Sequence, residues 1–267
     1  MIINVGLNKY YVERIGEGTP MVCFHGFTGS TDTWREIAEK YRGQFQWILI
    51  DLPGHGKSNT DYLNNMEDAC KELDEVLDQL SLKSFYLMGY SMGGRTALVY
   101  AHLFPEKIKK LILESASPGL EGESKIERKK KDENLAEWIE IVGIEMFVDY
   151  WESIPLFDSH EQLSSNKKAH LRNERLSQTA TGLSLSLRSM GTGHQPSMWK
   201  HLPDINFPVL LITGSLDKKF TELNQNMKDK LPQAQHYIFS GVGHAPHMEN
   251  SESFGRIVSE FLIQRLN

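Results

Sequence analysis

Gly89-Tyr90-Ser91-Met92-Gly93-Gly94-Arg95 stands between an apolar run, Phe85 to Met88, and a segment, Thr96 to Ala101, that reads as helix. A strand, a sharp turn and a helix in that order hold a serine at the apex in strained backbone geometry. Small residues two positions to either side let strand and helix approach closely. Gly89 and Gly93 fill those two positions around Ser91. The Met92 N–H then falls at the helix start, where an exposed donor and the helix dipole favour a developing negative charge. A five-residue pattern of this kind recurs by chance, so its meaning rests on what surrounds it.

Upstream of the turn, Ile3 to Ile15 alternates as two short antiparallel strands with a turn near Leu7–Asn8. Met21 to Phe24 is a short buried strand that runs into His25-Gly26-Phe27-Thr28-Gly29-Ser30. Thr31 to Tyr41 reads as helix around Trp34 and Ile37, and Trp47 to Ile50 as the next strand, followed by Asp51-Leu52-Pro53-Gly54-His55-Gly56-Lys57-Ser58. Met66 to Leu80 places Ala69, Leu73, Val76, Leu77 and Leu80 on one helical face. Downstream, a helix to Phe104 precedes a strand from Lys110 to Leu113 that ends in Glu114. The strand–helix alternation stops from Ser117 to about Lys200, where Trp138, Ile141, Ile144, Phe147 and Trp151 recur at helical spacing. It resumes with a strand Val209 to Gly214, a helix Phe220 to Leu231, a strand Ala234 to Phe239 and a closing helix Ser253 to Arg265. Sequential βαβ units imply a mostly parallel sheet covered on both faces, with active residues at the strands' C-terminal ends.

Composition narrows the function classes. A chain of 267 residues, 40% hydrophobic and 24% charged, suits one domain with an insertion, and a net charge of −6 argues against a general nucleic-acid binder. No apolar run approaches membrane length and no signal-peptide pattern opens the chain, so no membrane insertion and a cytoplasmic setting are expected. Cys23 and Cys70 give neither a disulfide framework nor metal spacing, and both are expected to be inert thiols.

Two further segments complete a catalytic constellation. Gly214-Ser215-Leu216-Asp217 follows the penultimate strand, and Gly241-Val242-Gly243-His244 follows the last one. With Ser91 they give the order Ser, Asp, His: His244 can take the serine proton, and Asp217 can fix its tautomer and stabilise the imidazolium. Glu114 also ends a strand and is the competing acid; His247 lacks the preceding glycines and is expected to be a loop residue. In this order and setting the chain resembles the α/β-hydrolase family along nearly its whole length. The resemblance implies an eight-stranded, mostly parallel sheet flanked by helices, with a helical cap after the sixth strand. It divides the chain into a core at 1–116 and 201–267 and a cap at 117–200. It also implies an oxyanion hole built by the Phe27 and Met92 N–H groups. His25, Asp51, His55 and Ser58 read as residues that fix loops.

Within that superfamily the chain is similar to the 2-succinyl-6-hydroxy-2,4-cyclohexadiene-1-carboxylate synthase family of the menaquinone pathway. The matching residues are the Ser91 turn, Leu113-Glu114-Ser115-Ala116-Ser117-Pro118-Gly119-Leu120, Glu127-Arg128, Trp151 with Pro155 and Phe157, and Arg172 with Arg175. Such enzymes eliminate pyruvate from a small polycarboxylate without metal or organic cofactor. The resemblance implies that the triad serine acts as a base and carries no acyl group. It also implies Arg95, Arg128, Arg175, Trp151 and Tyr90 as substrate contacts. The alternative is a serine hydrolase of a small ester or carbon–carbon bond that uses the same triad covalently. A monomer or weak homo-oligomer is expected. Arg95 has an independent physical reason: it lies one turn after Ser91, where a cation opposes the helix dipole unless an anion offsets it. Its competing reading is an arginine turned toward a surface acid.

Overall fold

The computed structural model of the chain describes residues 1–264. The strands β1 (Ile2–Val5), β2 (Asn8–Ile15), β3 (Thr19–Phe24), β4 (Phe45–Ile50), β5 (Phe85–Tyr90), β6 (Ile108–Glu114), β7 (Val209–Gly214) and β8 (Ala234–Phe239) form one eight-stranded sheet. Its order is β1-β2-β4-β3-β5-β6-β7-β8, with β2 antiparallel to both neighbours and every other pair parallel. The helices are α1 (Asp32–Lys40), α2 (Met66–Gln79), α3 (Met92–Leu103), α4 (Gly122–Glu152), α5 (Ser165–Leu176), α6 (Ala180–Met190), α7 (Lys218–Lys228), α8 (Pro246–Glu249) and α9 (Ser251–Ile263).

The central strands read as continuous apolar runs because both sheet faces are covered. The pleat sorts their side chains by alternation. Val22, Phe24, Ile48, Ile50 and Leu87 pack with the apolar faces of α2 and α3, while Met21, Cys23, Trp47, Leu49 and Met88 pack with Trp34 of α1 and Phe254 and Val258 of α9. Both cysteines are buried, and burial raises both thiols well above their ordinary range. The first hairpin turns at Gly6–Leu7, one residue before the expected place, because Gly6 supplies the positive φ (55°) that the turn requires.

Between β6 and β7 lies a separate helical layer built by α4, a 3₁₀ segment (Pro155–Gln162), α5 and α6, with its own small core of Ala136, Ile139, Phe147, Val148, Leu183 and Leu187. The single stripe expected along its first helix does not hold. Gly143 breaks α4 with φ 80° and ψ 175°, so the faces before and after it no longer align; Phe147 is buried while Ile141 is 82% exposed. At the other end of the chain, the expected closing helix begins two residues early at Ser251, and Arg265 lies outside the described residues.

Candidate active site

The C-terminal ends of β3, β5, β7 and β8 deliver the site. At the end of β5, Ser91 sits at φ 51° and ψ −107°, a conformation an L-residue holds only under constraint. Its N–H donates to the Glu114 carbonyl at 2.8 Å, and its carbonyl accepts from the Arg95 N–H at 3.0 Å. Strand and helix are close enough that a Cβ on Gly89 would collide with the Gly93 carbonyl. One on Gly93 would strike the Phe24 and His25 carbonyls. Both glycines are therefore steric requirements of the turn.

His244 reaches this serine from the loop after β8. Its Nε2 lies 3.1 Å from Ser91 Oγ, and its Nδ1 lies 2.6 Å from Asp217 Oδ2. With Asp217 accepting at Nδ1, the neutral ring keeps its proton there and leaves Nε2 free to accept from the serine hydroxyl. Asp217 is itself fixed: its other oxygen accepts from the Phe220 N–H at 3.2 Å as the N-cap of α7. The ring of Phe220, 4.7 Å from the imidazole, closes one side. Glu114 is wholly buried and occupied elsewhere, accepting from the His247 backbone N–H at 2.8 Å and from Nδ1 at 2.9 Å. His247 is thus not the loop residue expected. It lies in the one-turn helix α8, started by Pro246, and is tied to the end of β6.

Phe27 follows β3 in the loop facing the Ser91 turn. Among the described residues neither its N–H nor that of Met92 has a hydrogen-bond acceptor. His25, buried beneath the loop, accepts from the Leu52 N–H at Nε2 (2.9 Å) and donates from Nδ1 to the Gly26 carbonyl (2.7 Å). Burial pushes its pKa down to about 4, so it is a neutral strut. His55, 5.0 Å away between ring centroids, is pushed down to about 3 by burial and then by His25. Asp51 accepts from the N–H groups of Thr31 (2.6 Å) and Lys57 (2.8 Å), and Ser58 donates to the Asp51 carbonyl (2.6 Å).

A cavity of about 860 Å³ between the sheet and the helical layer is lined by Ser91 and His244 together with Phe27, Tyr90, Met92, Arg95, Arg128 and Trp151. Arg95 is 9% exposed and donates from Nη1 to the Met190 carbonyl at 2.8 Å; among the described residues it has no carboxylate partner. Burial, and after it neighbouring Arg128, lowers its pKa to about 10. Its guanidinium is therefore a desolvated, unneutralised charge in the cavity wall and not an arginine turned to a surface acid. Arg128 is half engaged: Nε meets Asp132 at 2.7 Å, and the other Asp132 oxygen holds the Gly193 N–H at 2.7 Å. Arg175 does not reach this wall. It is buried behind Phe157, 4.9 Å from that ring, and paired with Glu152 at 3.2 Å; Arg172 pairs at the surface with Asp149 and Glu152. The cavity also takes in Lys219, Phe220, Trp199 and Ser124, none foreseen from the sequence. For Lys219 and Phe220 a signal was available, since both lie on the first turn of the helix that Asp217 begins. Among the described residues no group of three or more His, Cys, Asp or Glu is placed to hold a metal ion.

Comparison with known proteins agrees with this architecture. Residues 19–251 match the model of the α/β-hydrolase fold family. A Bacillus subtilis (strain 168) protein provisionally named 2-succinyl-6-hydroxy-2,4-cyclohexadiene-1-carboxylate synthase is 42% identical over 247 residues, covering 91% of this chain and 89% of that protein. The synthase of that name from Salmonella typhimurium is 30% identical over 236 residues, 87% of this chain and 90% of its own. MenH from S. aureus superposes with a TM-score of 0.89 at 37% identity, over 95% of this chain and 97% of its own. The chain belongs to the α/β-hydrolase fold family and, within it, to the family of these synthases.

Proposed function

We propose that this α/β-hydrolase-fold chain is the lyase that converts 2-succinyl-5-enolpyruvyl-6-hydroxy-3-cyclohexene-1-carboxylate to 2-succinyl-6-hydroxy-2,4-cyclohexadiene-1-carboxylate and pyruvate in menaquinone biosynthesis. The observation that carries the reading is the desolvated, unpaired guanidinium of Arg95 in the same cavity wall as the Ser91–His244 pair. A neutral ester gives that charge nothing to bind. A polycarboxylate gives it a bidentate partner.

Substrate and product names fix which bonds change. A 3-ene becomes a 2,4-diene, so the proton leaves C2, beside the succinyl ketone, and the C5–oxygen bond breaks. His244 Nε2 takes the Ser91 proton while the serine oxygen removes the C2 proton. Charge develops on the ketone oxygen, toward which the Phe27 and Met92 N–H groups are free to donate. The electron pair then moves through C3=C4 and expels pyruvate as its enolate, which takes the proton from His244 Nε2 and so restores the neutral imidazole. Asp217 holds the imidazolium until that transfer. Arg95 and Arg128 hold carboxylates so that C2 faces Ser91, with Trp151 and Tyr90 as apolar walls, and the helical layer serves as the cap. Arg175 in this reading sets the Phe157 wall from behind.

The test is pyruvate release by the purified protein from the 5-enolpyruvyl substrate, with the enzyme quenched in turnover and weighed by mass spectrometry. The expected result is release with no adduct on Ser91. An adduct that forms and decays at the turnover rate would instead support a serine hydrolase, which needs the same triad covalently. We take the enzyme to be cytoplasmic and monomeric or weakly self-associating; no described helix is long and apolar enough to cross a membrane.

A further inference from the structure

Asp217 is the carboxylate of the triad, yet the loop that carries His244 is gripped by a further one. Glu249 ends α8, and its side chain is 7% exposed. One oxygen accepts from the Gly243 N–H at 2.8 Å and the other from the Ala245 N–H at 3.1 Å. These are the residues immediately before and after His244. Among the described residues no lysine or arginine pairs with Glu249, and the nearest cationic candidate is His160 Nε2 at 3.8 Å. Burial pushes His160 down to about 3, with Arg175 adding to the effect, so that ring is neutral. The carboxylate is thus spent on two backbone amides and not on an ion pair.

Geometry gives those two bonds a purpose. The Gly243 N–H bond to the Glu249 carboxylate closes the seven residues Gly243–Glu249 into a ring, and the Glu249 N–H donates back across it to the Ala245 carbonyl at 2.9 Å. Three residues beyond His244, His247 is fastened to β6 by Glu114. Gly243 packs so closely on Ser159 of the helical layer that a Cβ there would collide with it. Gly243 thus abuts that layer, and the two bonds to Glu249 brace the loop against rotation about its own axis. Rotation is the motion that would break the bonds of His244 to Ser91 and to Asp217 at once.

We propose that Glu249 is a positioning residue for the triad: its carboxylate bridges the peptides on both sides of His244 and sets the imidazole between Asp217 and Ser91. The inference rests on reading Ser91, Asp217 and His244 as the triad, and it does not depend on which reaction they catalyse. A displacement on the order of 1 Å of a catalytic group costs roughly a hundredfold in rate. Glu249→Ala removes both acceptors. Glu249→Gln keeps one oxygen and turns an NH₂ group toward the other amide.

The experiment measures, for wild type and both variants, pyruvate release and the second-order rate at which a fluorophosphonate labels Ser91. Folding is checked by circular dichroism and thermal midpoint. The expected result is a roughly ten- to hundredfold fall in both kcat and labelling rate for Glu249→Ala, a smaller fall for Glu249→Gln, and KM within about twofold of wild type. A purely structural role would lower the thermal midpoint and leave the folded enzyme's kcat and labelling rate where they were. A folded Glu249→Ala or Glu249→Gln protein that labels at the wild-type rate overturns the proposal. Should Glu249→Ala not fold, Glu249→Gln decides by the same criterion. Wild-type protein that labels on Ser91 but releases no pyruvate would fault the assigned reaction, and the labelling rates of the variants would still decide the role of Glu249.

Discussion

Replacing Arg95 with methionine keeps an unbranched apolar stem and removes the guanidinium with its charge. In the wild-type protein the guanidinium is 9% exposed and bonds the Met190 carbonyl alone, and burial lowers its pKa from 12.5 to about 10. At about 1.4 kcal/mol per unit, keeping that charge away from water costs roughly 3 kcal/mol. A substrate carboxylate offsets this cost, and a charged hydrogen bond of this type contributes about 1.5–3 kcal/mol. Arg95→Met should therefore lower kcat/KM for the polycarboxylate by roughly ten- to 150-fold. A small neutral ester turned over at the same serine should be affected about twofold or less. Arg95→Lys should recover part of the loss, because a point charge cannot reproduce the planar fork. The measurement is steady-state kinetics on both substrates. Equal losses on the neutral and anionic substrates would refute the reasoning and make Arg95 a structural residue.

Ser91→Ala, His244→Ala and Asp217→Asn should each remove most turnover with the fold retained, and their losses should be strongly non-additive because the three act as a unit. Asp217→Asn should be the mildest, since its bond to His244 only orients and stabilises; wild-type rates in a folded Ser91→Ala protein would sink the assignment. Gly93→Ala should destabilise by about 3 kcal/mol in denaturant titrations, because its Cβ meets backbone carbonyls that cannot yield. Acid should begin to destabilise the protein before its carboxylates titrate. His25 stays neutral in the fold to about pH 4 but protonates near 6.5 when unfolded, so its contribution is whole above 6.5 and lost as pH falls from 6.5 toward 4. That loss is roughly 3 kcal/mol, read as a falling urea midpoint; His25→Gln should make the fall shallower, with the share of buried His55 and His160 remaining.

What was legible in the sequence was what local sterics and order dictate. Gly89 and Gly93 announce the Ser91 turn because no larger residue fits there. The segments around Asp217 and His244 are legible because each directly follows an apolar strand, and a parallel sheet gathers such ends on one edge. What remained hidden depends on partners remote in sequence. Arg175 has the same composition and spacing as a ligand-binding arginine, and only the packing of α5 on α4 shows that Glu152 and Phe157 claim it. The stripe from Trp138 to Trp151 assumes an unbroken helix, and a single half-buried glycine, Gly143, with nothing pressing on its Cβ position, separates the faces before and after it and leaves Ile141 exposed. His247 read as loop because a one-turn helix has no periodicity to detect, and its partner Glu114 lies 133 residues away.

The backbone of Ser91 has a consequence for anyone who selects this protein for heat resistance. Its φ of 51° and ψ of −107° mirror an extended conformation that glycine adopts freely, and a serine forced there forfeits about 1–3 kcal/mol. Glycine at this position would recover that strain, less about 0.4–1 kcal/mol for its greater freedom in the unfolded chain. A library screened only for thermal survival should thus enrich inactive clones at codon 91. Fitness for folding and fitness for turnover pull in opposite directions at this one residue, and a screen that rewards both will find its stabilising changes elsewhere.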